Sequence, residues 1–160
     1  MVHLLIRNES ARKRLHRTDD LRRLAERVCV GEGSDPDAEL SVLLCDDPFI
    51  AELNLRYRKI NAQTDVLAFS QATERELALP ALSYSVLGDI VISLETVERH
   101  CKGDRAAMRE EIRLLFCHGL LHLLGYQHEG AQECERMAAR QALYLGRPLE
   151  AVWPGRAVGA

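Results

Sequence analysis

Three histidines stand at metal-ligand spacing in the second half of the chain: His118, His122 and His128. His118 and His122 are four residues apart, so on a helix both imidazoles leave the same face. Gly125 can take the left-handed conformation that ends a helix, which lets the chain turn back and deliver His128 as a third ligand. Neutral imidazoles suit zinc, and three protein ligands leave a fourth position for water or substrate. The pattern therefore predicts a catalytic site for one zinc ion.

The residue after the first histidine distinguishes this motif from that of the zinc peptidases. Those enzymes carry H-E-x-x-H, in which the glutamate is the general base, whereas this chain has Gly119 there. A metallopeptidase with a displaced general base stays an alternative. So does a binding or assembly factor whose zinc is mainly structural. A lone histidine on an apolar helix is more often a core residue, but three at this spacing indicate a metal site.

Length and composition indicate a single domain of ordinary soluble type. The chain has 160 residues, of which 47% are hydrophobic and 28% charged, enough for one substantial core. No apolar run approaches the length of a membrane span. The amino terminus, Met1–Arg7, is too short and too soon charged for a secretory signal. We therefore expect a cytoplasmic protein without a membrane partner.

The formal net charge of −3 is not typical of a nucleic-acid-binding protein, but the charges are unevenly distributed. A solvated helix face explains the basic amino-terminal cluster as well as a phosphate-binding surface does. The clustered basic residues are Arg7, Arg12, Lys13, Arg14, Arg17, Arg22, Arg23 and Arg27, with a second group at Arg56, Arg58 and Lys59.

Five cysteines, an odd number without a C-x-x-C pair, favour reduced thiols in a cytoplasm. We expect all of them to be buried free thiols. They are Cys29, Cys45, Cys101, Cys117 and Cys134.

Hydrophobic periodicity and turn residues predict the order β-α-β-α-β-β-α-α-α. Strands are expected at 2–7, 38–45, 66–69 and 86–93, and helices at 19–30, 46–58, 95–101, 104–124 and 131–145. The stretch 71–85 is predicted as a loop with a turn at Pro80. This order indicates an α+β single domain, in which a mixed sheet of about four strands packs against a central histidine-bearing helix and about four further helices. We assign residues 1–150 to one metallo-hydrolase domain and 151–160 to a flexible C-terminal tail.

Three blocks of sequence resemble those of one family. The blocks are Leu53–Arg58 followed by Thr64–Phe69, then Leu87–Ile92, then His118–His128. Together, over roughly residues 38–146, they are similar to the YbeY family of bacterial single-strand-specific metallo-endoribonucleases. The histidine block is highly specific in that context, whereas the other two alone would be weak.

This resemblance implies His118, His122 and His128 as zinc ligands and Arg58 as a functional arginine in the cleft. It also implies a cytoplasmic enzyme that works with the small ribosomal subunit in 16S rRNA 3′-end maturation and ribosome quality control. Single-stranded RNA is then the expected substrate, and DNA is not. The chain departs from the family pattern at three positions, where Gln127 replaces Asp, and Ala68 and Ser70 replace Ser and Pro. Gln127 cannot supply the negative charge of an outer carboxylate.

Arg58 and His118 are the expected catalytic residues. A three-histidine zinc site keeps its positive charge, polarises a phosphoryl oxygen and lowers the pKa of bound water to about 7. The Arg58 guanidinium suits bidentate binding of the scissile phosphate. The alternative for Arg58 is a surface ion pair at a helix end.

The general base is not evident from the sequence. Glu111, two helical turns before His118, could orient a ligand or a water, or could simply be solvated. Asp65 and Asp89, at strand edges, are candidates for outer-shell or structural roles. Tyr126 either contacts the substrate by stacking or hydrogen bonding, or packs beneath the site. The RNA 2′-hydroxyl, a zinc-activated hydroxide and a nonbridging phosphate oxygen are further candidates for the proton acceptor.

Overall fold

A single mixed sheet organises the chain in the computed structural model, which describes residues 1–71 and 85–153. Its strands are β1 (His3–Asn8), β2 (Glu39–Cys45), β3 (Val66–Ser70) and β4 (Val86–Ser93). The spatial order is β1-β2-β4-β3, with β1, β2 and β4 parallel and β3 antiparallel to β4 at one edge. The prediction of a mixed four-stranded sheet is confirmed. The predicted turn at Pro80 lies outside the described residues.

Within the described residues, five helices connect and cover the strands, as the hydrophobic periodicity predicted. They are α1 (Thr18–Gly31), α2 (Asp47–Arg58), α3 (Leu94–His100), α4 (Arg105–Leu123) and α5 (Ala131–Leu145), followed by a short 3₁₀ turn at Leu149–Ala151. The expected cap of α4 is present, since the Asp104 side chain accepts hydrogen bonds from the amides of Ala106 and Ala107. The α+β architecture with a central histidine-bearing helix is therefore confirmed. None of the helices in the described parts of the chain is long and apolar enough to cross a membrane.

Alternate side chains of the strands build two hydrophobic clusters, one on each face of the sheet. Ile90 and Ile92 of β4 join the larger cluster, which also contains most of the apolar side chains of α1 and α4. Val91, which points the other way, joins a smaller cluster with Ile50 of α2 and Leu67 of β3. Neighbouring strand residues face opposite sides of the sheet. The position of a residue along β4 therefore decides whether its side chain faces α4.

Gly119 lies where α4 comes closest to the sheet. A Cβ atom at this position would stand 3.0 Å from Cγ2 of Ile90, tighter than an ordinary van der Waals contact. The glycine thus permits a close approach of α4 to β4, which places His118, the residue before it, at a fixed height above the sheet. Rigid placement of this kind suits metal ligands.

The prediction that all five cysteines are buried is wrong for two of them. Cys29, Cys45 and Cys117 are buried, whereas Cys101 and Cys134 are only half-buried. Cys101 follows the end of α3 in a turn, and Cys134 lies in the first turn of α5 with its thiol against the carbonyl oxygen of His128, at 3.2 Å. Burial raises the pKa of the Cys117 thiol to about 12, so this neighbour of His118 stays protonated and unreactive at neutral pH.

The first residues of the predicted flexible tail are packed against the domain. Val152 is fully buried, and Trp153 packs on the larger hydrophobic cluster. The boundary predicted at residue 151 therefore falls too early, because the 3₁₀ turn redirects the chain onto α5 rather than into solvent. Residues 154–160 lie outside the described part of the chain.

Candidate metal centre

The three predicted ligands converge at the carboxyl-terminal end of α4. The Nε2 atoms of His118 and His122 lie 3.1 Å apart, and each of the three histidines offers a ring nitrogen within 4.8 Å of those of the others. His118 is buried, His122 is half-buried and His128 is exposed. The cluster therefore runs from the interior to the surface, with one side open to a substrate.

The donor set fits a zinc ion. Zinc–nitrogen bonds of about 2.0–2.1 Å in tetrahedral geometry separate two ligand nitrogens by about 3.3 Å, close to the separation of the two Nε2 atoms. Without a cation, two unprotonated ring nitrogens this close would repel each other. His118, His122 and His128 would hold the ion, and the ion would leave a fourth position for water or a phosphoryl oxygen.

Gly125 ends α4 as the spacing predicted. Its φ is +105°, its amide bonds to the carbonyl of His122, and the amide of Tyr126 bonds to the carbonyl of Leu121, both at 3.0 Å. These two bonds form a Schellman motif, which satisfies the last carbonyls of the helix and reverses the chain. The reversal brings His128 back beside His122, with ring centroids 4.8 Å apart.

Each of the two helical ligands is oriented by a partner on its outer nitrogen. Nδ1 of His122 lies 2.8 Å from the backbone carbonyl oxygen of Tyr126. A carbonyl can only accept, so this Nδ1 carries the proton and Nε2 keeps its lone pair for the metal. Nδ1 of His118 lies 2.8 Å from Oε1 of Gln141, a fully buried side chain of α5.

Burial and mutual charge keep the inner ligands neutral. Burial chiefly lowers the pKa of His118 to about 3, with the charges of His122 and His128 acting in the same direction. The pKa of His122 is also lowered, again chiefly by burial, and the charges of His128 and Arg58 add to the effect. Imidazole must be neutral to bind a metal, so His118 and His122 are in the binding-competent state at neutral pH.

Arg58 is the last residue of α2, and its charge acts on one of the three histidines. Its guanidinium lies near enough to His122 for its charge to lower the pKa of that imidazole. Lys59 ends the helix in the left-handed conformation, with φ of 60°. Arg58 is exposed, and Nη1 donates to Oδ1 of Asn54 at 3.4 Å.

Asn54 is a residue that the sequence did not single out. It is buried, and its amide donates to the carbonyl oxygen of Ala62 at 2.9 Å while its carbonyl accepts from Arg58. It therefore fixes both the guanidinium and the loop after α2. The sequence signal that could have found it is spacing, because Asn54 stands four residues before Arg58 and so on the same face of the helix.

The structure does not bring Glu111 to the three histidines. It lies seven residues before His118, roughly 10 Å along the helix, and its carboxylate is within 4.8 Å of ligand atoms of Asp65 and His100. Burial raises the pKa of Asp65, although the charge of His100 opposes the shift. Glu111 thus belongs to a separate polar cluster between α3, α4 and the start of β3.

Asp89 likewise lies away from the histidines. It faces the side of the sheet opposite to α4, because its neighbour Ile90 is the residue that contacts Gly119. Its carboxylate accepts hydrogen bonds from the Ser41 hydroxyl and from the Gln71 amide. The predicted outer-shell role beside the metal ligands is not supported by this placement.

Tyr126 supports the site through its backbone carbonyl, which orients His122, while its ring points elsewhere. The ring packs on the larger cluster, and the hydroxyl donates to Glu32 at 2.6 Å. Of the two roles considered, packing beneath the site fits this arrangement. Gln127, the next residue, is exposed, as is Ser70, whereas Ala68 is half-buried in β3.

Two further residues at the site were missed or misplaced by the sequence reasoning. Gln141 is a polar residue on the buried face of α5, between Met137 and Tyr144, and its spacing from them could have marked it. Trp153 was assigned to the flexible tail. Its ring stands at about right angles to those of His118 and His128, with centroids at 5.1 and 5.4 Å.

The fold and the three-histidine cluster define a class of protein: an α+β domain with a candidate metal centre at the end of its central helix. Comparison with known proteins narrows that class. The family model described as endoribonuclease YbeY matches residues 5–147. The chain belongs to this family, in agreement with the resemblance of its three sequence blocks.

Individual relatives agree with this assignment. The chain is 39% identical over 127 residues to the endoribonuclease YbeY of Pelotomaculum thermopropionicum, covering 79% of this chain and 83% of the relative. It is 40% identical over 125 residues to that of Aquifex aeolicus, covering 78% and 79%. The solution structure of TM1509 from Thermotoga maritima aligns over 97% of this chain and 99% of that one, with a TM-score of 0.56 and 25% identity.

Proposed function

We propose that this chain is a zinc-dependent endoribonuclease that cleaves single-stranded RNA. The observation that carries the proposal is the cluster of three histidines whose ring nitrogens lie within 4.8 Å, and the charge of Arg58 acts on one of them, because it lowers the pKa of His122. Membership of a family named for endoribonuclease activity supports it, as do the names of the relatives.

The residues of the chain divide the work of phosphodiester cleavage. Zinc, when bound, supplies a Lewis acid for a phosphoryl oxygen and lowers the pKa of water to about 7. Arg58 binds a nonbridging oxygen of the same phosphate and stabilises the charge that grows on it. The Asn54 side chain accepts a hydrogen bond from the guanidinium. Because Arg58 and His128 are both exposed, a polynucleotide can reach them without a large opening of the fold.

The placement of Gly119 argues against the metallopeptidase alternative. Its Cβ direction leads to Ile90 in the core, so a glutamate here would point into the sheet and not at a substrate on the open side of the metal centre. In the proposed site, the Arg58 cation also acts beside a metal ion. This combination suits an anionic phosphodiester better than a peptide bond.

The biological substrate we propose is ribosomal RNA, processed in the cytoplasm at the 3′ end of the small-subunit 16S RNA and in ribosome quality control. The small ribosomal subunit would be the partner. Aromatic residues are few, at 5% of the chain, so we expect recognition to rest on backbone contacts and single-strand shape. Participation of the RNA 2′-hydroxyl would account for a preference over DNA.

The decisive experiment measures zinc content and cleavage of a single-stranded RNA by the purified protein and three variants. We expect His122→Ala to lose metal and activity together. Arg58→Ala should retain metal and lose activity by about a hundredfold or more. Arg56→Ala is the matched control, because Arg56 lies two residues away and pairs with Glu52 at the surface.

Substrate controls separate the alternatives. Casein tests for peptidase activity, and double-stranded RNA and single-stranded DNA of the same sequence test strand and sugar preference. Full RNA cleavage by metal-free protein would overturn the proposal, as would cleavage of casein. If the His122→Ala variant folds, binds small subunits and shows no defect in RNA processing, the result would instead favour an assembly factor with a structural metal.

A further inference from the structure

The metal centre has an outer layer built from the end of the chain. Gln141 and Trp153 are both in contact with ligand imidazoles, and the segment that joins them is held against α5. Neither residue was singled out by the metal motif. Their placement indicates how the ligands are held in position, an inference that rests on the proposal that the three histidines bind metal.

The hydrogen bonds of Gln141 determine which ring nitrogen of His118 carries the proton. Its Nε2 donates to the backbone carbonyl oxygen of Val152, which can only accept. The amide oxygen of Gln141 must therefore face His118, and Nδ1 of His118, at 2.8 Å from it, must be the donor. His118 is then left with an unprotonated Nε2 on the side of His122, as metal binding requires. The carbonyl of Val152 thus determines, through Gln141, which nitrogen of His118 is the ligand.

Trp153 contacts His128, the one proposed ligand that lies outside α4. His128 is exposed and lies beyond Gly125, outside α4. The Trp153 ring stands at 90° to the imidazole of His128 and at 88° to that of His118, so its contacts restrict both rings. Val152, which is fully buried, anchors the backbone next to it.

From these contacts we propose that Gln141 and Trp153 are positioning residues of the metal centre: Gln141 sets the tautomer and ring orientation of His118, and Trp153 confines His128. The C-terminal segment from Leu149 to Trp153 is thereby a part of the site. Metal affinity depends on its docking, and the ligand concerned is the divalent cation alone, without any contribution from RNA.

Zinc affinity, measured by competition with a chromogenic chelator, tests this proposal directly. Gln141→Leu removes both hydrogen bonds at similar volume and should weaken zinc binding by about ten- to a hundredfold. Trp153→Ala should weaken it in the same direction. Gln132→Leu, the same change at an exposed position of α5, is the matched control and should bind zinc like the unmodified protein.

Two spectroscopic readouts distinguish positioning from a general loss of structure. In metal-free protein, long-range nitrogen–proton correlation NMR should show His118 protonated at Nδ1, and this tautomer should lose its preference in Gln141→Leu. Trp153 is the one tryptophan of the chain, so tryptophan emission reports on this position alone and should change on zinc addition. The change should be absent in His122→Ala.

The outcomes are distinct from those that test RNA cleavage. A folded Gln141→Leu variant with unchanged zinc affinity and unchanged His118 tautomer would overturn the role of Gln141. Unchanged affinity in Trp153→Ala, at a half-buried position where folding should survive, would overturn that of Trp153. If the protein binds zinc and responds as described but leaves RNA intact, this inference stands and the proposed function fails. If the unmodified protein binds no zinc, both fail.

Discussion

The hydroxyl group of Tyr126 donates a hydrogen bond to Glu32, at 2.6 Å, and so ties the metal-ligand loop to the end of α1. Glu32 also accepts from the Tyr144 hydroxyl and from Nε of Arg140. The backbone carbonyl of the same Tyr126 orients His122. One carboxylate outside the motif therefore supports the turn between His122 and His128.

The stability of this network should depend on pH. Burial of Glu32 raises its pKa, but hydrogen bonds from Tyr126, Tyr144 and Arg140 outweigh burial and the net pKa is lowered. A carboxylate with a lowered folded-state pKa stabilises the protein above its unfolded-state pKa, and this contribution is lost as the pH falls through the folded-state value. We therefore expect Glu32→Gln to reduce the free energy of unfolding at neutral pH by about 1–3 kcal/mol.

Urea unfolding of both proteins over a range of pH checks this expectation. The difference between Glu32→Gln and the unmodified protein should begin to narrow as the pH falls below the unfolded-state pKa of about 4.3, and it should reach its minimum only below the lowered folded-state pKa, where the carboxylate is protonated in both states. Glu9→Gln removes an exposed pair with Arg7 and should change stability little at any pH. A difference for Glu32→Gln that is constant with pH would show that charge does not contribute.

Local patterns carried most of what could be predicted about the site. The spacing of His118 and His122 and the glycine at 125 act within one helix and its end, where short-range geometry is decisive. Gln141 and Trp153 are brought in from another helix and from the chain beyond it, so their contacts depend on tertiary packing. Periodicity predicts that α5 has a buried face but not which residue of α4 that face meets.

The sheet shows the same limit. The alternation of β4 predicts two faces, yet the sequence does not say which of them receives α4. The close contact between Gly119 and Ile90 determines it, and Asp89 consequently lies on the far side. The error about the tail has a similar origin, since a Gly- and Ala-containing end was interpreted by composition while Val152 and Trp153 pack on the core.

Replacing Gly125 should weaken both the fold and the metal centre. A φ of +105° is strained for any residue with a Cβ atom, so we expect Gly125→Ala to cost about 1–2 kcal/mol of stability. Zinc affinity should also fall, because the shifted turn moves His128 while His118 and His122 stay on the helix. Chelator competition and urea unfolding measure the two effects.

Gly130→Ala is the control for that experiment. Gly130 lies in the same loop, has an extended φ of −129° and has no atom within 4 Å of an added Cβ. It should leave zinc affinity unchanged. Equal losses of affinity in both variants would mean that general loosening of the loop, and not the turn at 125, is responsible.

Zinc should stabilise the folded protein through the three histidines. A ligand present at about a hundred times its dissociation constant adds about 2.7 kcal/mol to the free energy of unfolding. We expect a rise in Tm on adding zinc to metal-free protein, reversed by a chelator and absent in His122→Ala. His3→Ala, an exposed histidine of β1, should keep the full response. A response that survives in His122→Ala would place the stabilising ion elsewhere.

Introducing the peptidase glutamate tests why Gly119 is present. In Gly119→Glu the new Cβ would stand 3.0 Å from Ile90, and the carboxylate would be buried without a partner, so stability should fall by about 3 kcal/mol or more. Gly119→Ala separates the effect of the close Cβ contact with Ile90 from the effect of the buried carboxylate. Its Cβ makes the same close contact, but the gain of about 1 kcal/mol in helix propensity offsets part of the strain. Urea unfolding should rank the two variants accordingly, and neither should hydrolyse casein. Unchanged stability of Gly119→Glu, or new peptidase activity, would mean that this position faces the substrate and that the glycine is not required by the approach of α4 to β4.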